Sequence, residues 1–200
     1  MSLTFIIIIV TCVISISAFY NPQLLEQFLF WPFYIKRKHE YWRFITCGFI
    51  HLDYIHLGFN MFTLYFFGQI VELYIFEGKG SAFLLFYLLS LLGSNLYSYF
   101  RHQDNFDYRA LGASGAVSAV VFSFIVFAPW QTILVFFIPV PAIIFGALYL
   151  FYSAYMSRKG YDNIGHDAHF WGGIFGIAYT ILVQPTLGLM FFEKLLHPGF

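Results

Sequence analysis

Charged residues are scarce in this chain. Only 10% of its 200 residues are Asp, Glu, Lys or Arg, whereas a soluble domain carries about a quarter. With 60% hydrophobic residues, a chain of this length cannot bury all of its apolar surface in one aqueous core. The shortage of charge therefore excludes an ordinary soluble domain, and the surplus apolar surface must face lipid.

Excess positive charge and a cysteine framework are missing too. The net charge is zero, which gives a nucleic-acid partner no electrostatic support. The two cysteines, Cys12 and Cys47, lie in or beside apolar segments without metal-type spacing, so a disulfide framework is not expected. Residues 1–20 lack the basic region of a signal peptide, and we interpret them as a retained spanning helix.

Six apolar segments are long enough to cross a bilayer, which takes about 20 mostly apolar residues. Their approximate bounds are 3–20, 55–76, 81–100, 113–128, 131–152 and 167–186. The sequence therefore predicts an all-α membrane protein, a bundle of six transmembrane helices, in one domain over residues 1–200. The aromatic connection 21–54 is expected to lie in the membrane interface. Pro139 and Pro141 are expected to loosen or kink the fifth helix.

Basic residues favour one side of this predicted bundle. Eight of the ten Lys and Arg residues fall in connections on one side, including the polar loop 157–165, and two fall on the other. The positive-inside rule would place the more basic side in the cytoplasm and both termini outside.

A few polar side chains interrupt the apolar segments. Ionisable groups at membrane depth cost about 2.5–3.5 kcal/mol to insert, so they indicate a functional site. His56, Asn60, Ser114 and His169 stand near the starts of the second, fourth and sixth segments, which enter the membrane from the same face. They can therefore meet at one depth, whereas Glu72 lies late in the second segment, toward the opposite face.

Several of these residues have alternative interpretations. His56 and Asn60 lie four apart on one helix face, and they form either a polar clamp between helices or donors aimed into a cavity. His166 and His169 lie three apart and fit either a pair at the water interface or a metal chelate. Asp167 points off their face and the sequence has no HExxH motif, so a metal site is not favoured.

Ser114 stands in a run of small residues, RALGASGAVSAVV at 109–121. The run contains two small-xxx-small pairs, which are typical of close packing between membrane helices. These pairs are Gly112 with Ala116 and Gly115 with Ala119.

The position of Ser114 also favours a catalytic role. It falls in the first turn of its helix, where unpaired backbone N–H groups and the helix dipole would stabilise an oxyanion. His169 is the histidine at matching depth in another segment and can act as the base. Such a dyad, with donors from His56 and Asn60 and no orienting carboxylate evident, indicates acyl-transfer chemistry.

At these residues the sequence resembles the rhomboid intramembrane serine proteases. The motifs, in chain order, are Trp42 and Arg43; His51, His56 and Asn60 in HLDYIHLGFN; Glu72; Gly112, Ala113, Ser114 and Gly115 as GxSG; and Ala168, His169 and Gly172 as AHxxG, followed by Gly176. Five motifs in order and at matching spacing are far more specific than GxSG alone. The resemblance implies that Gly172 and Gly176 let the fourth and sixth helices approach closely.

The resemblance implies a serine endopeptidase that works inside the bilayer. Ser114 would be the nucleophile and His169 the general base, while His56, Asn60 and the Ser114 backbone N–H would form the oxyanion hole. Substrates would be single-span membrane proteins, admitted past the fifth helix and the loop before the sixth, and no cofactor or metal is implied. The expected location is a bacterial inner or plasma membrane, and the oligomeric state is left open.

Two positions depart from the family pattern. Ser118 stands where the family commonly has a Tyr that packs on the catalytic histidine, so another group must orient His169. Cys47 stands where some relatives have a further histidine. The family's six-helix forms also keep both termini in the cytoplasm, opposite to the orientation that the basic residues favour, and here we follow the resemblance.

Two other functions stay open. One is a non-catalytic rhomboid-fold protein that binds or escorts membrane proteins, although such proteins usually lack the Ser or the His that this chain keeps. The other is a transporter or metal carrier built around the same polar residues.

Overall fold

The computed structural model describes residues 2–135, 137–159 and 165–197, most of them in helices. In chain order the helices are α1 (Leu3–Phe19), α2 (Pro22–Phe28), α3 (Pro32–Lys38), α4 (Arg43–Thr46), α5 (Tyr54–Thr63), α6 (Gly80–His102), α7 (Ser114–Phe127), α8 (Ala142–Lys159), α9 (His166–Val183) and α10 (Pro185–Leu196). Between α7 and α8, strands β1 (Thr132–Val135) and β2 (Ile138–Pro141) pair in an antiparallel hairpin.

Helix α7 is the centre of the bundle. Every residue from Gly115 to Val126 is buried, because α5, α6, α8 and α9 all pack against this helix. A helix that is apolar all round is stable when protein surrounds it. Its few polar groups are paired: the Thr180 hydroxyl of α9 donates to Ser123 Oγ at 2.8 Å, and Ser123 donates to the Ala119 carbonyl at 2.9 Å.

The long connection 21–54 folds into three short helices, α2, α3 and α4, rather than an extended linker. Arg43 holds it together from a buried position. Its guanidinium donates to Glu40 at 2.5 Å and to the carbonyl oxygens of Glu26 and Leu29, at the end of α2, at 2.8 and 2.9 Å. A cation at these carbonyls satisfies acceptors that the end of a helix leaves unpaired.

Glu72 fastens α1 to the helix that follows α5. That helix continues α5 through two stretches of wider, π-type turns, Leu64–Gly68 and Val71–Ile75. The buried Glu72 carboxylate accepts from the backbone N–H groups of Leu3 and Thr4 at 2.9 Å each, and from the Thr4 hydroxyl at 2.6 Å. A carboxylate at a helix N-terminus satisfies orphan donors and opposes the positive end of the helix dipole.

The fifth predicted span, 131–152, is wrong in its first half. The chain forms the β1–β2 hairpin there, with Thr132 opposite Pro141 and Leu134 opposite Pro139, and a helix begins only at Ala142. Proline lacks a backbone N–H and clashes with the preceding helical turn, while the neighbouring β-branched residues fit a strand. The prolines therefore prevent the helix instead of kinking it, and the fold is not purely α-helical.

The sixth predicted span, 167–186, ends early. Helix α9 stops at Val183, and α10 begins at Pro185 at an angle of 116° to it. By length and hydropathy, α6 is the one helix of the described ranges that can cross a membrane alone, while the bent α9–α10 pair passes the same test together. The count of six spans therefore stays a prediction.

The predicted polar loop 157–165 starts inside α8, which runs to Lys159. Its residues 160–164 lie outside the described part of the chain.

The substitution Glu72→Gln tests the connection between α1 and the end of the second helix. Gln is uncharged and offers a single carbonyl oxygen, so the α1 N-terminus should lose about 1–3 kcal/mol of stabilisation. We expect a lower melting temperature in detergent. Glu77→Gln is the matched control, because Glu77 forms an exposed ion pair with Lys79, and such pairs contribute little. An unchanged melting temperature for Glu72→Gln would contradict the role of Glu72.

Candidate active site

Helices α7 and α9 begin side by side and bring Ser114 next to His169. Ser114 is the first residue of α7, and His169 lies in the first turn of α9. The Ser114 Oγ and His169 Nε2 atoms are 2.8 Å apart, a hydrogen-bond distance. The two residues that the sequence places at one depth are therefore in direct contact, although 55 positions separate them along the chain.

This contact depends on glycines that let the two backbones touch. A Cβ atom at Gly172 would collide with the carbonyl oxygen of Gly115, and one at Gly176 with the carbonyl oxygen of Ala119. On another side of α7, a Cβ at Gly115 would strike the Ser94 hydroxyl of α6. The small residues of the 109–121 run thus pack α7 against α6 and α9, and this packing sets the distance between Ser114 and His169.

Gly112 gives the loop before α7 a conformation that favours glycine. Its φ is +113°, and a Cβ atom there would lie 2.7 Å from Cε1 of His56. Any larger residue would therefore strain the backbone and displace the His56 ring. The Gly112 backbone N–H donates to the Cys47 carbonyl at 2.9 Å, which ties this loop to the end of α4.

His56 presents one ring nitrogen as a donor. Its Nδ1 accepts a long hydrogen bond from the Leu52 backbone N–H at 3.5 Å, so the neutral ring carries its proton on Nε2. Nε2 is also the nitrogen that lies near Gly112. Asn60, one turn later and buried, donates from Nδ2 to the His56 carbonyl at 2.9 Å. His56 and Asn60 therefore lie one above the other on the same face of α5.

His51 braces the loop before Ser114. The Ala113 backbone N–H donates to His51 Nε2 at 3.3 Å, so the proton sits on Nδ1 and is donated to Ser15 Oγ at 3.2 Å. Burial lowers the pKa of His51 to about 3, which keeps the ring neutral at physiological pH. Sequence reasoning placed His51 in a motif but missed its partner Ser15, which is one of four hydroxyl residues in α1 and carries no signal that distinguishes it from the others.

A cavity of about 180 Å³ opens beside Ser114 and His169, between α5 and α8. Asn60 lines it on the α5 side. Much of the remaining wall is apolar, from Val117, Val121, Phe122 and Phe145. Ser114 and His169 therefore face a mainly apolar space, which suits an apolar side chain.

Tyr149 of α8 is a site residue that sequence reasoning did not name. Its hydroxyl lies 2.7 Å from Ser118 Oγ, and its ring stacks on His169 with 6.0 Å between centroids and 29° between planes. The absence of a ring at Ser118 signalled that another group must orient His169, but nothing in the sequence identified which of its 47 aromatic residues packs on that histidine.

The family model described as the Rhomboid domain matches residues 38–186. The chain belongs to the rhomboid family. Rhomboid proteins are embedded in membranes, so the inference from scarce charge is confirmed at this level. Helices α1 and α10 lie largely or wholly outside the matched range, yet α1 is fastened to it through Glu72.

Three rhomboid relatives from Arabidopsis thaliana illustrate the similarity. "RHOMBOID-like protein 12, mitochondrial" is 34% identical over 64% of this chain and 42% of its own length. "Rhomboid-like protein 11, chloroplastic" is 40% identical over 38% of this chain and 26% of its own. "RHOMBOID-like protein 4" is 26% identical over 77% of this chain and 37% of its own.

The rhomboid chain thus spans less than half the length of each of these relatives. Two of the relatives are mitochondrial and chloroplastic by name. The expectation of a bacterial inner membrane therefore has no support from them.

Three residues of the rhomboid motifs, and also Cys47, lie away from the cavity. Trp42 is 54% exposed, Arg43 holds the first connection, and Glu72 caps α1. Cys47 is buried behind the Gly112 loop. These positions support the scaffold, and none of them lines the space beside Ser114.

The described residues of this rhomboid contain no cluster of three His, Cys, Asp or Glu side chains that could hold a metal. His166 meets His169 edge to face, with 5.9 Å between centroids. Asp167 is engaged elsewhere, by Arg101 at 3.2 Å and by the Ser157 hydroxyl.

The substitution Gly172→Ala tests the contact between α7 and α9. The added methyl meets backbone atoms that cannot move aside, so we expect about 1–3 kcal/mol of destabilisation from overpacking. Thermal unfolding in detergent measures this loss. Gly58→Ala on α5 is the matched control, because nothing lies within 4 Å of its Cβ position and Ala favours a helix over Gly. Equal stability of the two variants would refute the close contact.

Proposed function

We propose that this rhomboid protein is a serine endopeptidase that cleaves transmembrane segments of membrane proteins inside the bilayer. The observation that carries the proposal is the 2.8 Å contact between Ser114 Oγ and His169 Nε2 in a largely apolar cavity. A hydroxyl bonded to an imidazole at this distance is the arrangement that nucleophilic catalysis by serine requires.

In this mechanism, Ser114 Oγ attacks the carbonyl carbon of the scissile peptide while His169 Nε2 takes the hydroxyl proton. The tetrahedral intermediate then collapses: its C–N bond breaks, and His169 donates the proton to the departing amine. The acyl group stays on Ser114 as an ester. Water, deprotonated by His169, attacks that ester, and collapse of the second intermediate returns the proton to Ser114 and releases the new carboxyl end.

The oxyanion of both intermediates needs hydrogen-bond donors. The backbone N–H of Ser114 belongs to the first turn of α7, where N–H groups have no partner within the helix. We assign the second and third donors to Nε2–H of His56 and the amide of Asn60, since Gly112 brings the His56 ring close to the start of α7. Donors fixed in a space of low dielectric stabilise developing charge strongly.

The position of the cavity suggests the class of substrate. It lies between α5 and α8, and its apolar walls suit an uncharged side chain next to the scissile bond. A peptide bond inside a helix has its carbonyl oxygen occupied by a hydrogen bond, so the substrate must unwind there before Ser114 can reach it. Single-span membrane proteins with a weak helix near the membrane surface fit this requirement.

The first test replaces the two members of the dyad. Ser114→Ala and His169→Ala should each abolish cleavage of a reporter transmembrane substrate, because one removes the attacking oxygen and the other its base. Ser81→Ala and His197→Ala are matched controls, since both residues are exposed and distant along the chain. A fluorophosphonate probe should label the wild type and both controls, but not Ser114→Ala.

Full activity of either dyad variant would contradict this mechanism. If the folded wild type neither cleaves the reporter nor takes the probe, the chain is a non-catalytic rhomboid, and its binding of the uncut reporter becomes the activity to measure.

The second test removes one proposed oxyanion donor at a time. His56→Ala and Asn60→Ala should each lower kcat about 10²–10³-fold with little change in KM, as loss of one donor does elsewhere. Gln69→Ala is the matched control for Asn60, because Gln69 is a half-buried amide later on the same helix whose Nε2 bonds the Tyr65 carbonyl. Unchanged kcat in His56→Ala or Asn60→Ala would remove that residue from the oxyanion hole.

A further inference from the structure

The side chain of Ser118 leaves a space beside the catalytic pair that a residue from another helix fills. Ser118 lies one turn after Ser114 on α7, on the same face of the helix. Its side chain has no ring that could pack on His169. A ring that stacks on His169 comes instead from Tyr149, which α8 supplies from the opposite wall of the cavity.

We propose that Tyr149 is the positioning residue for His169 and that Ser118 anchors it, so that a helix other than the one carrying the nucleophile orients the base. The inference rests on the proposed protease function. The stacked ring limits rotation of the imidazole out of line with Ser114 Oγ. The 2.7 Å hydrogen bond to Ser118 fixes the tyrosine itself.

Neighbouring rings fix the orientation of Tyr149 further. The Phe145 ring lies 5.6 Å from it and the Phe122 ring 5.9 Å, so the tyrosine is held from α8 and from α7. Edge and offset contacts of this kind add to the stability of buried rings. Phe145 and Phe122 hold the ring of Tyr149 and Ser118 holds its hydroxyl, so Tyr149 has few rotamers available. A tyrosine fixed in this way restricts the orientation of the His169 ring that stacks on it.

The first arm of the test separates the hydroxyl from the ring. Tyr149→Phe and Ser118→Ala each delete the same hydrogen bond, so each should lower kcat about two- to tenfold, and the double variant should be no worse than either single one. Tyr149→Ala deletes the ring and should lower kcat about 10²-fold, the scale of a misplaced catalytic group, with KM much less affected. Tyr155→Ala, an exposed tyrosine on α8, is the matched control.

The second arm moves the ring to the other helix. Ser118→Tyr alone should lose activity, because two rings compete for one space. Combined with Tyr149→Ala, the same substitution should restore kcat to within about tenfold of the wild type. A residue that merely supports the fold would not be replaced by a ring brought from α7.

The outcomes distinguish this inference from the proposed function. If the wild type neither cleaves the reporter nor takes a fluorophosphonate at Ser114, the proposed function fails and the role of Tyr149 fails with it. If the wild type is active and Tyr149→Ala keeps its kcat, the inference alone is overturned. It is also overturned if Tyr149→Ala loses activity together with its melting transition and Ser118→Tyr restores neither.

Discussion

The backbone contact between α7 and α9 is the constraint on which the rest of this structure depends. In lipid, apolar side chains gain little by leaving the bilayer, so close packing of small residues has to supply much of the adhesion between helices. Gly172 and Gly176 permit that approach, and the Thr180–Ser123 hydrogen bond reinforces it one turn further along. Once the two helices touch over this length, Ser114 and His169 have little freedom in their separation.

The features that could be predicted from sequence are those encoded within one helix or one loop. The positions of His56 and Asn60, the GxSG run and the histidine at the start of α9 are all local patterns. Of these residues, Asn60, Ser114 and His169 line one cavity, and the His56 ring lies beside Gly112. Glu72 was recognised as a far-end residue for the same reason. Its function at the start of α1 was not, because a carboxylate's partner 68 positions away leaves no local trace.

The parts that could not be predicted depend on pairs of distant residues or on competing patterns. Tyr149 meets Ser118 across 31 positions, and Ser15 meets His51 across 36. An apolar run has the same composition in a buried helix and in a strand, so composition alone predicts a span over residues 132–141. Pro139 and Pro141 fit a kink as well as a break in a helix by sequence alone. In the structure each removes a backbone donor and would clash with the preceding turn, so no helix forms there.

Helix α8 is held less firmly than its neighbours. Among its residues, all within the described part of the chain, Ala142, Gly146 and Ser153 are the buried ones, whereas α7 is enclosed along nearly its whole length. The helix nonetheless carries the ring that lies on His169. If α8 tilts away from α5 to widen the opening, that ring leaves with it and the imidazole loses its support. Under the proposed function, substrate entry and alignment of Ser114 with His169 would then be successive events. The open form would be inactive, so a polypeptide would not be cleaved at the moment it enters.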